Sequence, residues 1–299
     1  MSLSGLRKWF YDVRHYALVP PQHFIRRRFK EVFAFEINLK DPATFNEKLQ
    51  WKKLFDRNPL YTICSDKIKV RRFVKELAGE DILVPLLYEA AKPSEADLLQ
   101  LQPPFIIKAN HGSNRNIMVL QGQDLDIPQV LRECRSWLKE NYYWYGKEWQ
   151  YLHIKPRILV ERLLLDKNGG IPHDYKFHCF NGEVEFIQLD TGRHTEHKRT
   201  ILSPNWEILP FQYCAKSPNG PVYEIDANAT KPDNLSSLIH CAQLLSKQFP
   251  YVRVDLYSVE NKVFFGELTF TPGSGFLCFF PAEYDLYYGE KLPLTSQEK

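Results

Sequence analysis

The chain has 299 residues, of which 44% are hydrophobic and 25% charged, and its formal net charge at pH 7 is +3. That length supports a large core divided over two or three lobes, and the composition is that of a globular chain. So small a net charge makes no electrostatic case for nucleic acid, and no apolar run approaches the ~18 residues that a membrane-crossing helix needs.

The opening stretch, MSLSGLRKWFYDVRHY, is too polar and too aromatic for a secretory signal. A helical extension is expected over residues 5–34, interrupted at Pro20-Pro21. In it the aromatics Trp9, Phe10, Tyr16, Phe24 and Phe29 alternate with basic residues, among them Arg26, Arg27, Arg28 and Lys30. One reading is peripheral contact with an anionic membrane surface. The plainer one is that these helices pack on the next lobe. FNEKLQWKKLFDR (45–57) places Phe45, Leu49, Trp51, Leu54 and Phe55 near one helical face. Ser65 is expected to cap a helix that ends at Gly79, and Ser94 a short one that follows the strand ILVPLLYEA.

FIIKAN (105–110) and IMVL (117–120) read as strands on either side of HGSNRN, and 126–142 as a helix with Leu131 and Leu138 inward. RILVERLLL (157–165) is a strand too apolar to be a sheet edge. DYKFHCF (174–180) and EVEFIQLD (183–190) flank Asn181-Gly182, a strong two-residue hairpin signal. Residues 191–231 show no periodicity and read as loop, and 236–247 as a helix. The six cysteines, Cys64, Cys134, Cys179, Cys214, Cys241 and Cys278, form no Cys-x-x-Cys pair. They suit buried reduced thiols in a cytoplasmic protein and argue against structural zinc.

Two stretches carry candidate chemistry. In RVDLYSVENKVFFGELTFTPGSG (253–275), Asp255 and Glu267 lie in runs of β-formers around a tight turn expected at 258–262. Like charges across a ladder are unfavourable, so a positive group is expected between them. Converging carboxylates suit Mg²⁺, which takes one or two of them plus substrate phosphates. Thr269 and Arg253 fall on the same face, two residues away. A solvated hairpin face compensated by Arg253 fits the same residues. In PPFIIKANHGSNRNIMVL (103–120), Lys108 and the loop with Gly112 and Ser113 have the groups to hold phosphates. An ordinary hairpin turn fits them too.

Taken in order, five segments resemble the ATP-grasp superfamily, and within it the TupA-like branch of teichuronopeptide and surface-polysaccharide biosynthesis. They are 41–74, PFIIKANHGSNRNIMV (104–119), KPRILVERLL (155–164), DYKFHCFNGEVEFIQLD (174–190) and RVDLYSVENKVFFGELTFTPGSGF (253–276), within a resemblance over residues 41–292. The resemblance implies an α+β ATP-grasp fold, two α+β lobes gripping ATP, with a helical N-terminal extension. The divisions it implies are the extension at 1–40, an N-terminal helical region at 41–103, a small lobe at 104–163 and a large lobe at 164–299.

It further implies that Lys67 and Lys108 contact phosphates and that His111, Gly112 and Ser113 close over the triphosphate. Glu161 and the backbone at Leu163 would read the adenine edge, Asp174 would lie near the ribose, and Lys176 near the γ-phosphate. Asp255 and Glu267 would hold Mg²⁺. Thr269 stands where the family usually has Asn, which leaves the third ligand open. Arg253, Lys176 and Arg199 form the implied catalytic set. The implied activity is a carboxylate–amine ligase working with ATP through an acyl phosphate.

The basic segment 189–206, with Arg193, His194, His197, Lys198 and Arg199, suits an acidic sugar or glycan carboxylate. An amine or amino acid would be the co-substrate. Trp206, Phe211 and Tyr213 would stack on sugar rings or belong to the core. The expected place is the cytoplasm, with the inner face of the membrane as the peripheral variant. A glycosyltransferase and a non-catalytic nucleotide-binding protein are the alternatives; the joint presence of Lys108, Lys176, Arg253, Asp255 and Glu267 weighs against the latter.

Overall fold

The computed structural model describes residues 19–192, 197–217, 220–221 and 223–294. Trp9, Phe10, Tyr16, Arg193 and His194 fall outside them. The first half of the chain holds helices α1 (Pro21–Phe33), α2 (Phe45–Phe55), α3 (Pro59–Ser65) and α4 (Val70–Ala78), strand β1 (Leu86–Ala90) and helix α5 (Glu95–Leu99). Strands β2 (Phe105–Ala109) and β3 (Asn116–Val119) follow, then α6 (Ile127–Trp137), α7 (Tyr143–Gly146) and β4 (Ile158–Arg162). The second half contains β5 (Asp174–Phe180), β6 (Glu183–Thr191), β7 (Lys198–Leu202), β8 (Gln212–Cys214), β9 (Lys216–Ser217) and β10 (Gly220–Pro221). It closes with α8 (Leu235–Ser246), β11 (Tyr251–Val259), β12 (Lys262–Thr269), β13 (Cys278–Phe280) and α9 (Glu283–Lys291).

The small sheet is antiparallel in the order β1-β4-β2-β3. Its strand β4, Ile158–Arg162, is interior, as its unbroken apolar run requires. The edge strand β1 comes from before residue 104, where the sequence reading begins this lobe. Phe105, Ile107, Val160, Leu131 and Trp137 form its core beneath α6. The large antiparallel sheet runs β12-β11-β5-β6-β7. One of its faces is apolar throughout: Phe177, Ile187, Leu189, Val254 and Leu256 pack with Leu238 and Leu245 of α8 and with Val74 of α4. The other face is apolar at one end, where Phe180, Phe186 and Tyr251 meet Phe45 and Leu49 of α2 and Tyr288 of α9. Beyond that end it is mostly polar as far as Tyr257 and Phe264, which pair near the hairpin turn.

Sequence and structure differ at several points. Residues 191–231 contain β7, which forms an edge of the large sheet, and β8, which pairs with β13. These strands are five and three residues long, too short for alternation to stand out from the polar loops around them. Ser65 ends α3 instead of capping α4; Asp66 supports that turn, accepting from the Ile68 and Lys69 amides at 3.0 and 3.4 Å. Phe24 and Phe29 follow the plainer of their two readings: they are core residues packed with Ile25, Ile37 and Leu39 against Trp51 and Leu54. Trp206 borders the α8 core, while Phe211 and Tyr213 lie in the aromatic cluster, so the three serve packing.

Both large hairpins turn through two residues with positive φ, Asn181-Gly182 and Glu260-Asn261. In an unbroken ladder from Val259↔Lys262, Glu267 would fall opposite Val254, on the apolar face. A bulge at Gly266 adds one residue to β12, so Glu267 pairs with Asp255 instead. A second bulge at Glu185 pairs His178 with Phe186, Lys176 with Gln188 and Asp174 with Asp190. Gly266 is required for space, because a Cβ there would lie 2.9 Å from the Asp255 carbonyl oxygen and 3.1 Å from Tyr257 Cε2. Gly266→Ala should therefore lower stability by about 1–3 kcal/mol in denaturant titration. An unchanged midpoint would show that the bulge tolerates the methyl group.

Candidate active site

The two bulges gather the charged residues of the large sheet onto one face. Across it, Thr269 pairs with Arg253, Glu267 with Asp255, Asp255 with Lys176, and Asp190 with Arg199. Arg253 is the centre of this group. Its Nε and Nη2 donate to Asp255 Oδ1 and Oδ2, both at 2.6 Å, and Nη2 also reaches Glu267 Oε1 and Thr269 Oγ1 at 3.1 Å. The Thr269 hydroxyl donates to Glu267 Oε1 at 2.9 Å.

Burial alone would favour the neutral form of Arg253; the charge and hydrogen bonds of Asp255 outweigh it and raise its pKa. Burial, aided by the nearby carboxylates Asp174 and Glu267, pushes Asp255 above the ordinary range against the pull of Arg253. Burial also opposes ionisation of Glu267, but Lys67, Arg253 and the Thr269 hydroxyl hold its carboxyl below the usual range. Lys67 stands 3.8 Å from Glu267 Oε2, and burial lowers its pKa despite that neighbour.

Next along the face, Lys176 donates to Asp174 Oδ2 at 2.5 Å and lies 3.1 Å from Asp190 Oδ2. Asp190 also accepts from Gln188 and from Arg199, whose Nε is 2.6 Å from Oδ1. Arg199 spends a further nitrogen on the Tyr213 carbonyl at 3.1 Å and stacks on Tyr223. Expected in the catalytic set, Arg199 is thus turned onto Asp190, and any influence it has on Lys176 passes through that carboxylate.

The small sheet faces this ladder with Lys108, whose Nζ lies 2.8 Å from Glu161 Oε2, while Arg71 of α4 holds Glu161 Oε1 at 2.8 Å. Glu161, expected at an adenine edge, is engaged by these two cations. The Leu163 amide donates to the Pro104 carbonyl at 3.2 Å. In the loop after β2, Asn110 ties the Asp66 turn to the backbone of Lys155 and Arg157. His111 is buried, with Nε2 3.0 Å from the Trp137 carbonyl and Nδ1 3.1 Å from Asn110 Oδ1, so its ring is committed to holding the loop. The Gly112 carbonyl accepts from Lys67 Nζ at 2.6 Å, and a Cβ on Gly112 would meet the Tyr142 ring at 2.8 Å.

Between the sheets lies a cavity of about 410 Å³. Val84, Ile106, Met118, Leu163, Tyr257 and Phe265 make its walls apolar, with Lys108 and Asp174 among its polar lining. The lobes also meet where the Phe265 amide donates to the Ile82 carbonyl at 2.7 Å. Among the described residues no three or more His, Cys, Asp or Glu converge as a metal cluster. Mg²⁺ needs none, since it takes few protein carboxylates. All six cysteines are free and buried.

Asp190, Arg71 and Asn110 were not singled out from sequence. Asp190 had a signal: it follows Gln188 by two on the strand joined to DYKFHCF by Asn181-Gly182. Arg71 and Asn110 act through residues 90 and 44 positions away, for which no local pattern exists.

A family profile described as TupA-like ATPgrasp matches residues 47–293. A search of the curated proteins found no match. Among solved structures, L-amino acid ligase from Bacillus licheniformis is 13% identical, with 86% of this chain and 56% of that one covered and a TM-score of 0.45. D-alanine–D-alanine ligase from Bacillus anthracis is 15% identical over 69% of this chain and 57% of that one, with a TM-score of 0.39. The Helicobacter pylori D-alanine–D-alanine ligase is 15% identical over 84% and 70%, with a TM-score of 0.41. The chain thus spans little more than half of the first two of these proteins.

His178 lies on the polar face beside Arg253, stacked on Phe186 with centroids 4.0 Å apart, its Nδ1 2.9 Å from the Tyr251 hydroxyl. Burial, then the cations Arg253 and Arg199, hold its pKa well below the usual value. It stays neutral in the fold while the unfolded chain takes up a proton below about pH 6.5, so this residue costs stability as pH falls. Below that pH wild type should lose up to about 1.4 kcal/mol per unit more than His178→Gln, measured by denaturant titration. Parallel profiles for the two would contradict a buried neutral imidazole.

Proposed function

The chain belongs to the TupA-like ATP-grasp family, and from that premise we propose that it is an ATP-dependent carboxylate–amine ligase. Its acid substrate is a uronic acid or related acidic sugar of a surface polysaccharide, and its product an amide. One observation carries this reading: Lys108 lines the apolar slot, and Lys67, close enough to feel its charge, stands 3.8 Å from Glu267 in the cluster of Arg253, Asp255 and Glu267. The slot has the size and lining for a purine ring.

Mg²⁺–ATP would supply the phosphoryl group that turns the substrate carboxylate into an acyl phosphate with loss of ADP, and the amine would then attack that carbonyl and displace phosphate to leave the amide. The contribution of this chain is charge and position, as phosphoryl transfer demands. Asp255 and Glu267, with the Thr269 hydroxyl, would hold the divalent cation. Lys108 and Lys67 would take the phosphates, giving up Glu161 and the Gly112 carbonyl to do so. Asp174, in the lining of the slot, would take ribose hydroxyls and holds Lys176, which would meet the γ-phosphate. Asp190 and Arg199 position that lysine. Arg253 would stabilise the charge that develops on the reacting carbonyl. No side chain serves as a covalent nucleophile.

Many glycosyltransferases hold a metal-bound nucleotide-sugar with an Asp-x-Asp motif. The Asp124-Leu125-Asp126 triplet is the sole Asp-x-Asp, and Asp126 is engaged as the N-cap of α6, accepting from the Gln129 amide at 2.9 Å.

The ligase reading predicts ADP release that requires an acidic sugar and an amine together; release of a nucleoside diphosphate from a nucleotide-sugar without ATP would replace it with the transferase. Asp255→Asn and Glu267→Gln should each abolish ATP turnover with the far-ultraviolet dichroism unchanged, and full activity in both would remove the metal assignment. Lys108→Ala should weaken binding of a non-hydrolysable ATP analogue at least about tenfold in calorimetry. Lys69→Ala is the control, and equal losses in the two variants would contradict the role of Lys108.

A further inference from the structure

The three oxygens assigned to a divalent cation already surround one positive group. Arg253 Nη2 lies 2.6 Å from Asp255 Oδ2, 3.1 Å from Glu267 Oε1 and 3.1 Å from Thr269 Oγ1. The second Asp255 oxygen is held by Nε at 2.6 Å, and Glu267 Oε2 faces Lys67 at 3.8 Å. Mg²⁺ binds its ligands at about 2.0–2.1 Å in near-octahedral geometry, a spacing the guanidinium does not leave open. The arginine is nearly buried, and its whole inner edge is spent on these contacts. Removing a cation from such carboxylates without replacing its charge is costly.

We propose that Arg253 is an internal counter-ion that occupies the cation site until nucleotide arrives, so that the divalent metal enters with the nucleotide and not ahead of it. This inference rests on the assignment of Asp255 and Glu267 as the metal carboxylates. The phosphates supply the anionic partner that Arg253 needs when it leaves them, and the metal then replaces its charge between the carboxylates. Free divalent cation offers no such partner: it must displace a bidentate guanidinium whose two hydrogen bonds to Asp255 go unreplaced. Apparent metal affinity is then reduced by the fraction of molecules in which Arg253 has left. Specificity follows too, because a nucleotide without metal would leave Asp255 and Glu267 short of a counter-charge.

Mn²⁺ binding followed by electron paramagnetic resonance tests the idea on the full chain. Mn²⁺ alone should bind wild type at least about tenfold more weakly than Mn²⁺ with saturating ADP, after correction for the free Mn–ADP complex. Arg253→Met should bind Mn²⁺ alone at least about tenfold more tightly than wild type does. Its melting temperature should rise on adding Mn²⁺ alone, whereas that of wild type should not. Arg253→Lys, whose single ammonium cannot span the carboxylates as a fork, should fall between, and serves where the methionine variant does not fold. Wild type that binds Mn²⁺ equally well with and without ADP overturns the inference while leaving the metal site standing, provided Asp255→Asn abolishes that binding. Absence of Mn²⁺ binding in wild type with ADP and in both variants overturns the metal assignment itself, and the inference with it.

Discussion

The structure turns on one added residue in one strand. Without the bulge at Gly266, Glu267 would point into the apolar face with Val254, where an ionised carboxylate has no partner. With it, Glu267 stands beside Asp255 and both reach Arg253. The bulge at Glu185 does the same for the neighbouring hairpin, turning Gln188 and Asp190 to the face that holds Lys176. Period-two alternation explains why a single residue decides this, since a one-residue slip exchanges the two faces of a strand. The large sheet thus becomes a partition with an apolar core under α8 on one side and, on the other, a charged ladder beside an aromatic core.

That ladder is compensated within itself. Lys108 and Arg71 meet Glu161; Lys176 and Arg199 meet Asp190; Arg253 meets Asp255 and Glu267. Several of these groups are buried, and a buried charge left alone costs far more than a paired one gains. The pairing therefore explains how one cleft carries so many ionised groups without unfolding the lobe. It also fits ligand exchange, because Lys67, Lys108, Lys176 and Arg253 already have anionic partners for which a phosphate is a chemical substitute. Arg199, Arg71 and Asn110 lie behind the groups that face the cleft and keep them oriented, a division of labour common around polar sites.

Much of this was legible in the sequence. The β-formers around Asp255 and Glu267 gave the hairpin, and Asn181-Gly182 gave the other turn. The apolar run ILVER gave an interior strand. The turn at Glu260-Asn261 is tighter than expected, and only with the bulge do the two carboxylates pair. Gly266, a glycine inside a strand pattern, was the available sign of that bulge. The destination of His111 was not legible: the family resemblance implied that it closes over the triphosphate, yet the ring binds the end of α6, a tertiary contact that local pattern does not encode. Phe24 and Phe29 show the same limit, since an amphipathic helix reads alike whether its apolar side meets a membrane or a second helix.

The central claim is that this ladder is a nucleotide-dependent cation site. A crystal structure of the chain grown with ADP and Mn²⁺, with an anomalous difference map at the manganese edge, tests it most directly. The account predicts an anomalous peak between the carboxylates of Asp255 and Glu267, the nucleotide base in the slot lined by Ile106 and Leu163, and the Arg253 guanidinium withdrawn from Asp255. Nucleotide bound in that slot with no peak at those carboxylates, or with Mn²⁺ held by other residues, would contradict it.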